Sequence, residues 1–363
     1  MVYQGDALKY IYETPDILRS ILQGEQGILR ESVSFLENRK ISEIYLAGSG
    51  SSYNSAQAVS AFAKKLLGIR VFPVYPTAIL EESFLISRDA VVIGISQQGT
   101  SAAVIQALDE MHRRGIATLS VTGEYDTEIT RHGDANLYIE CGYEDAGATT
   151  KGYTATVVTL LLLICAVAQS HGKISQEEAA GYKSRIEAVV NNMSVVLDDS
   201  QLWCERTAEK LKECRDLMIL SGGSLDSMLR EGVLKFSETC RFPVRGYEAE
   251  EFMHGMYNAV TEQVEFLYLF PAEGYEVQRM KRLYGYYSSQ KNRQYAINMP
   301  RDGMSCMGEN ALSCRFRGDV DFSVLEYMLP QQLLFVLTSR ARGIDLNRPK
   351  DPDFHKYMGS KLV

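Results

Sequence analysis

From residue 43 onward, short apolar runs alternate with stretches of helical periodicity. The runs fall at 43–47, 70–75, 91–95, 116–121 and 136–140, and helical patterns such as 53–67 and 101–113 separate them. Strands joined through helices return parallel, because a helical crossover brings the chain back to the starting edge of the sheet. This rhythm therefore predicts an α/β fold built on a doubly wound parallel sheet. Ligands of such sheets sit beyond the carboxyl ends of the strands.

The pattern then repeats. Met218-Ile219-Leu220-Ser221-Gly222-Gly223-Ser224 echoes Ile44-Tyr45-Leu46-Ala47-Gly48-Ser49-Gly50 after an offset of 174 residues. A second apolar strand follows in each half, at 91–95 and at 264–270. Two α/β units of one architecture are expected. The layout is a helical N-terminal segment at 1–40, a first unit at 41–173, a charged helical connection at 174–213, a second unit at 214–340 and a tail at 341–363. The first 40 residues read as helices over 7–12 and 17–22, with Pro15 at a first-turn position.

Two turns carry the chemistry of the first half. Gly48-Ser49-Gly50-Ser51-Ser52 and Ser96-Gln97-Gln98-Gly99-Thr100-Ser101 each follow an apolar run and precede a helical pattern. Helix starts offer unpaired N–H donors and partial positive charge, and glycine lets the backbone approach an anion closely. Two such turns side by side suit a phosphate that carries polar groups, such as a sugar phosphate. Neither is a dinucleotide fingerprint, because Tyr53 stands where the third glycine belongs, and no phosphate-loop lysine motif is present.

Composition narrows the classes. The formal net charge of −8 argues against nucleic acid as the main partner. The seven cysteines (Cys141, Cys165, Cys204, Cys214, Cys240, Cys306, Cys314) are odd in number and show no C-x-x-C pair. No signal peptide precedes them, so a reducing cytoplasmic setting is expected. The five histidines lack ligand spacing, and no metal site is expected. The longest apolar run, Val157–Ala168, is too short for a bilayer and reads as a buried helix.

The second half has no serine-rich turn after its strand at 264–270. It offers Glu231-Gly232-Val233-Leu234-Lys235-Phe236-Ser237-Glu238 and Glu248-Ala249-Glu250-Glu251-Phe252-Met253-His254-Gly255 instead. Lys235 and Glu238 share a helix face, which by itself describes a solvated ion pair. Glu248, Glu250 and Glu251 read as an exposed acidic loop.

The two turns, the stretch Glu144-Asp145-Ala146-Gly147-Ala148-Thr149-Thr150-Lys151, the segment from Glu231 to Gly255 and the opening Tyr12-Glu13-Thr14-Pro15 together resemble the sugar isomerase (SIS) domain family. The likeness covers nearly the whole chain. It is similar to the paired SIS domains of the isomerase half of glutamine–fructose-6-phosphate aminotransferase and of stand-alone phosphosugar enzymes. The 16-residue step from Glu238 to His254 matches that family's catalytic pair. The resemblance implies two flavodoxin-like parallel-sheet domains in tandem with helical terminal segments.

By the same resemblance, Ser52, Ser96, Gln97 and Ser101 would hold the phosphate and nearby sugar hydroxyls, within turns that include Gly50, Ser51 and Gln98. Gly147, Ala148 and Thr149 would line the sugar. Glu238 would be the proton shuttle, with Lys235 behind it. His254 would open the sugar ring from a neighbouring subunit, so at least a homodimer is implied. A C-terminal lysine would enter the site; Lys356 is the nearest match and Lys361 a poorer one. Gln98 stands where the family carries serine, Met256 replaces a proline after His-Gly, and the tail is longer than usual. No N-terminal cysteine follows Met1 and no room for a glutaminase domain is expected, so the chain is not expected to draw ammonia from glutamine by itself.

The chemistry implied is proton transfer between C1 and C2 of an open-chain sugar 6-phosphate, without cofactor. A fructosamine-6-phosphate deglycase is the favoured expectation. A glucosamine-6-phosphate deaminase, an aldose–ketose isomerase and a non-catalytic sugar-phosphate sensor are the alternatives.

Overall fold

The computed structural model describes residues 3–298 and 308–362. Helix α1 (Ala7–Leu36) is one continuous helix rather than two. Asp6 caps it, accepting from the Leu8 N–H at 2.9 Å. Pro15 lies inside it and removes one backbone bond, but the buried stripe of Ile11, Leu18, Ile21, Leu22, Leu29 and Leu36 carries the helix through.

The first unit then runs β1 (Glu43–Ala47), α2 (Ser51–Leu67), β2 (Arg70–Val74), α3 (Pro76–Glu82), β3 (Ala90–Ile95), α4 (Ala102–Arg113), β4 (Ala117–Thr122) and β5 (Ala135–Tyr138). Helices α5 (Lys151–Ser170) and α6 (Gln176–Leu211) follow. The second unit runs β6 (Leu217–Ser221), α7 (Asp226–Cys240), β7 (Val244–Glu248), α8 (Ala249–Phe252), β8 (Glu265–Phe270), α9 (Tyr275–Ser289), β9 (Gln294–Asn298), β10 (Ala311–Ser313), α10 (Ser323–Ala341) and α11 (Phe354–Met358).

Among the described residues the strands form two parallel five-stranded sheets, ordered β2-β1-β3-β4-β5 and β7-β6-β8-β9-β10. The orders are the same, which is the structural form of the repeat seen in sequence. In each sheet the order reverses beside the first strand, between β1 and β3 and between β6 and β8. That crevice is where ligands of open α/β sheets bind. Helix α5 is buried along most of its length, as its run of Leu160 to Leu163 predicts. It is long and apolar enough to cross a bilayer, yet 89% of that stretch is buried within the fold. Helix α6 opens with a capping box between Ser175 and Glu178 and packs against α10, joining the units.

Glu248 is not part of a free acidic loop. It ends β7, and its carboxylate caps α8 by accepting from the Glu250 and Glu251 N–H groups at 2.8 and 3.0 Å. The six described cysteines are buried free thiols, and Cys306 lies outside the described residues.

Candidate active site

Both serine-bearing turns leave the same edge of the first sheet. Strands β1 and β3 are neighbours, with Ala47 opposite Gly94, so the turns after them are adjacent. A Cβ on Gly48 would lie 2.9 Å from the Ser52 backbone, and Gly50 has φ +57°, so both positions need glycine for the chain to enter α2. In the second turn the Ser101 N–H donates to Ser96 Oγ at 3.3 Å and the Gly99 N–H to the Ser96 carbonyl at 2.8 Å. The turn is buttressed from behind: the Ile129 N–H donates to the Gly99 carbonyl at 3.0 Å.

The stretch after β5 packs beside the second turn. The buried Glu144 carboxylate accepts from Thr150 N, Thr150 Oγ1, Lys151 N and Gly152 N at 2.7–3.1 Å, satisfying the start of α5. Gln97 packs on Gly152, where a Cβ would meet its carboxamide at 2.0 Å. Gly147 lies against the tail, with room for no side chain beside the Leu346 carbonyl. Ala148 is buried, and Thr149 and Gly147 are half-buried.

The second unit supplies the titratable groups from α7. Glu231, Lys235 and Glu238 lie four and three residues apart on one face. Lys235 is 3% exposed, and its ammonium donates to Glu238 Oε2 at 2.9 Å with Glu231 Oε1 at 4.0 Å. Burial pulls the Lys235 pKa down, but Glu238 and Glu231 outweigh it and the net shift is upward. The lysine therefore stays charged behind Glu238. The Glu238 side chain keeps 41% of its surface exposed. It is not the solvated pair that the spacing alone describes, because only one partner reaches solvent.

Glu231 joins the two units. Its carboxylate accepts from Ser51 Oγ at 2.8 Å and Asn54 Nδ2 at 2.7 Å. Burial raises its pKa, with Lys235, Asn54 and Ser51 pulling the other way. The Ser51 hydroxyl proton is thus engaged by Glu231. Glu231 and Glu144 are site residues that the sequence alone does not single out. The signal for Glu231 was its i, i+4 step to Lys235.

The tail brings a different lysine from the nearest sequence match. Lys356 sits on α11 and is exposed. Lys361 instead donates to Gln98 Oε1 at 2.9 Å and pairs antiparallel with Ser101. Burial lowers its pKa, and Glu238 opposes that shift, so both groups share one electrostatic environment. Tyr3 enters from the N-terminus, its pKa raised by burial and then by Glu238 and Asp145. His254 is exposed, with Glu250 Oε1 at 3.4 Å, and Glu250 in turn pairs with Arg279 at 2.9 Å. Within one subunit His254 makes no described contact with Glu238. No metal-holding cluster of His, Cys, Asp or Glu occurs among the described residues.

The candidate site thus joins two serine-bearing turns on one α/β unit to a lysine-backed carboxylate on another, in the fold class of tandem SIS domains. The chain belongs to the SIS domain family, whose pattern matches residues 37–166. It is 24% identical over 362 residues to the glutamine–fructose-6-phosphate aminotransferase (isomerizing) of Pyrobaculum aerophilum. That match covers 96% of this chain and 57% of the relative, so the chain spans little more than half the length of the curated relative. Two solved structures are similar throughout. A candidate phosphosugar isomerase from Clostridium difficile 630 is 29% identical with a TM-score of 0.89, covering 99% of this chain and 100% of that one. A candidate sugar-binding protein from Salmonella typhimurium LT2 is 31% identical with a TM-score of 0.81, covering 91% and 98%.

Proposed function

We propose that this chain is a phosphosugar enzyme that moves a proton between C1 and C2 of an open-chain sugar 6-phosphate. The observation that carries the reading is Glu238. It is a solvent-reaching carboxylate, held from behind by the buried Lys235 ammonium, and it acts electrostatically on Lys361, which the tail brings against Gln98 of the second turn. A base so placed reaches both carbons of one C1–C2 edge while the phosphate is anchored elsewhere. The names of the similar proteins, a phosphosugar isomerase and an aminotransferase that acts on fructose 6-phosphate, agree with this class.

Within the class we favour a deglycase of ketosamine 6-phosphates. His254 of a neighbouring subunit assists ring opening. Glu238 removes a C1 proton from the open-chain ketosamine, giving the 1,2-enaminol, and returns it to C2. The product is a C1 imine. Water adds to C1, the C–N bond breaks, and glucose 6-phosphate leaves with a free amine. The charge that develops on O2 is stabilised by nearby donors, a role we assign to Lys361 and Tyr3, whose pKa values both feel Glu238. The exposure of Glu238 supports an amine substituent beside C1. The exposed Glu251 would suit a cationic one.

The test is product identification with fructoselysine 6-phosphate, fructoseasparagine 6-phosphate, glucosamine 6-phosphate and fructose 6-phosphate as separate substrates. Glucose 6-phosphate and the free amino acid as the fastest products support the deglycase. Faster ammonia release from glucosamine 6-phosphate replaces it with a deaminase. Faster aldose–ketose interconversion of fructose 6-phosphate replaces it with an isomerase.

A further inference from the structure

The second turn carries Gln98 where a serine is usual for the family it resembles, and the structure shows what the longer side chain reaches. The tail returns to the turn as a short antiparallel pairing. The Leu362 N–H donates to the Thr100 carbonyl at 2.8 Å, and the Ala102 N–H donates to the Ser360 carbonyl at 3.3 Å. Ser101 and Lys361 are the bridged residues. Residues 351–360 are otherwise exposed, so this pairing is what holds the end of the chain on the first unit. It fixes the backbone of Lys361 but not its four-carbon side chain, which keeps rotamer freedom unless its ammonium is held. The group that holds it is the Gln98 carboxamide oxygen, at 2.9 Å.

We propose that Gln98 is the positioning residue for Lys361, its carboxamide oxygen aiming the ammonium at the ligand site while its NH2 remains available to an anion in the turn. The inference rests on the reading of this site as a phosphosugar site. A serine hydroxyl at position 98 is shorter by two heavy atoms and does not span to the ammonium. Gln98 therefore makes the tail lysine and the phosphate turn one unit, and the turn of this chain acts on both ends of its ligand. The lowered pKa of Lys361 agrees with a lysine held in a half-buried place by a neutral acceptor rather than by a carboxylate.

Two measurements test this, and the first needs no turnover. Competitive acetylation reports the protonation of Lys361, read on its tryptic peptide. Gln98→Glu puts a carboxylate against the ammonium and should slow labelling of Lys361 at pH 8 about tenfold relative to the parent. Labelling of exposed Lys356 should be unchanged in the same sample. The second is a double-mutant cycle on kcat/KM with Gln98→Ala and Lys361→Ala, using the best 6-phosphate substrate. If Gln98 acts through Lys361, each single variant loses about tenfold and the double variant loses clearly less than the roughly hundredfold product of the two. Unchanged Lys361 labelling in Gln98→Glu, or losses that multiply in the double variant, overturns the proposal. Thermal melts of the variants separate misfolding from loss of position, and a misfolded Gln98→Glu leaves the Gln98→Ala cycle to decide. Absence of turnover with every phosphosugar would defeat the functional reading and leave the labelling result to stand alone.

Discussion

Ser51 Oγ donates to Glu231 Oε1 at 2.8 Å across the boundary between the two α/β units. One residue before Ser52, the first serine-bearing turn is therefore fastened to the helix that bears Lys235 and Glu238. A shift of the first turn is felt by the buried carboxylate, and through it by the lysine that holds Glu238. Ser51, Asn54, Glu231, Lys235 and Glu238 are thus parts of one polar cluster that spans the two units.

Glu231→Ala would leave the Ser51 hydroxyl, the Asn54 amide and one side of Lys235 without an acceptor in a buried place. We expect a loss of about 3 kcal/mol in urea unfolding. A loss below about 1 kcal/mol would mean that water replaces the carboxylate and that the fastening is weak.

Glu238→Gln keeps the shape and removes the base. Turnover should fall about a thousandfold, with glucose 6-phosphate binding by calorimetry retained within a few-fold. A variant that still turns over at a tenth of the parent rate would remove Glu238 from the relay.

Gly147→Ala places a Cβ 1.9 Å from the Leu346 carbonyl oxygen, so the tail backbone must move. We expect about 2 kcal/mol of destabilisation. Cleavage by trypsin after Lys350 and Lys356 should also become faster in that variant. Unchanged cleavage would show that the tail seats independently of this contact.

His132 links stability to pH. Burial lowers its pKa, but Asp109 at 2.6 Å and Glu128 at 3.3 Å outweigh burial, and the net shift is upward. A raised histidine contributes fully below its unfolded value near 6.5, and the contribution is lost as pH rises through the folded value. The parent's advantage over His132→Gln in urea should thus be largest near pH 5.5 and vanish by pH 9. It should be at most about 1 kcal/mol, since the carboxylates are partly exposed. The segment it steadies carries Ile129, which supports the second turn.

His254 is exposed and does not contact Glu238 in its own subunit. If it serves a partner's site, co-expressing Glu238→Gln and His254→Asn chains should restore about a quarter of parent activity in a dimer, because half the molecules would be hybrids with one intact site. Zero activity in the purified hybrid would place both residues in the same subunit's site.

Much of the fold was open to reading in the chain itself. The repeat of 44–50 at 218–224 lies in β1 and β6, which hold the same place in two sheets of the same order. The reason is local: apolar runs, glycine turns and helical periods are short-range patterns, and parallel sheets follow from them. Pro15 was misread as a helix start because its cost is local while the stripe that overrides it packs against the rest of the fold. Glu248 was misread as loop because a capping carboxylate has the composition of a solvated one.

The sequence by itself determined the two α/β units, the pair of anion-suited turns and the helical placement of Lys235 and Glu238, since each depends on neighbours within a few residues. Only the tertiary structure decided that Lys235 is buried, that Glu231 binds Ser51 and Asn54, and that Lys361 rather than Lys356 meets Gln98. Those contacts join residues up to 263 positions apart. Their geometry comes from how the helices pack and where the tail returns, and no local pattern encodes a distance of that kind.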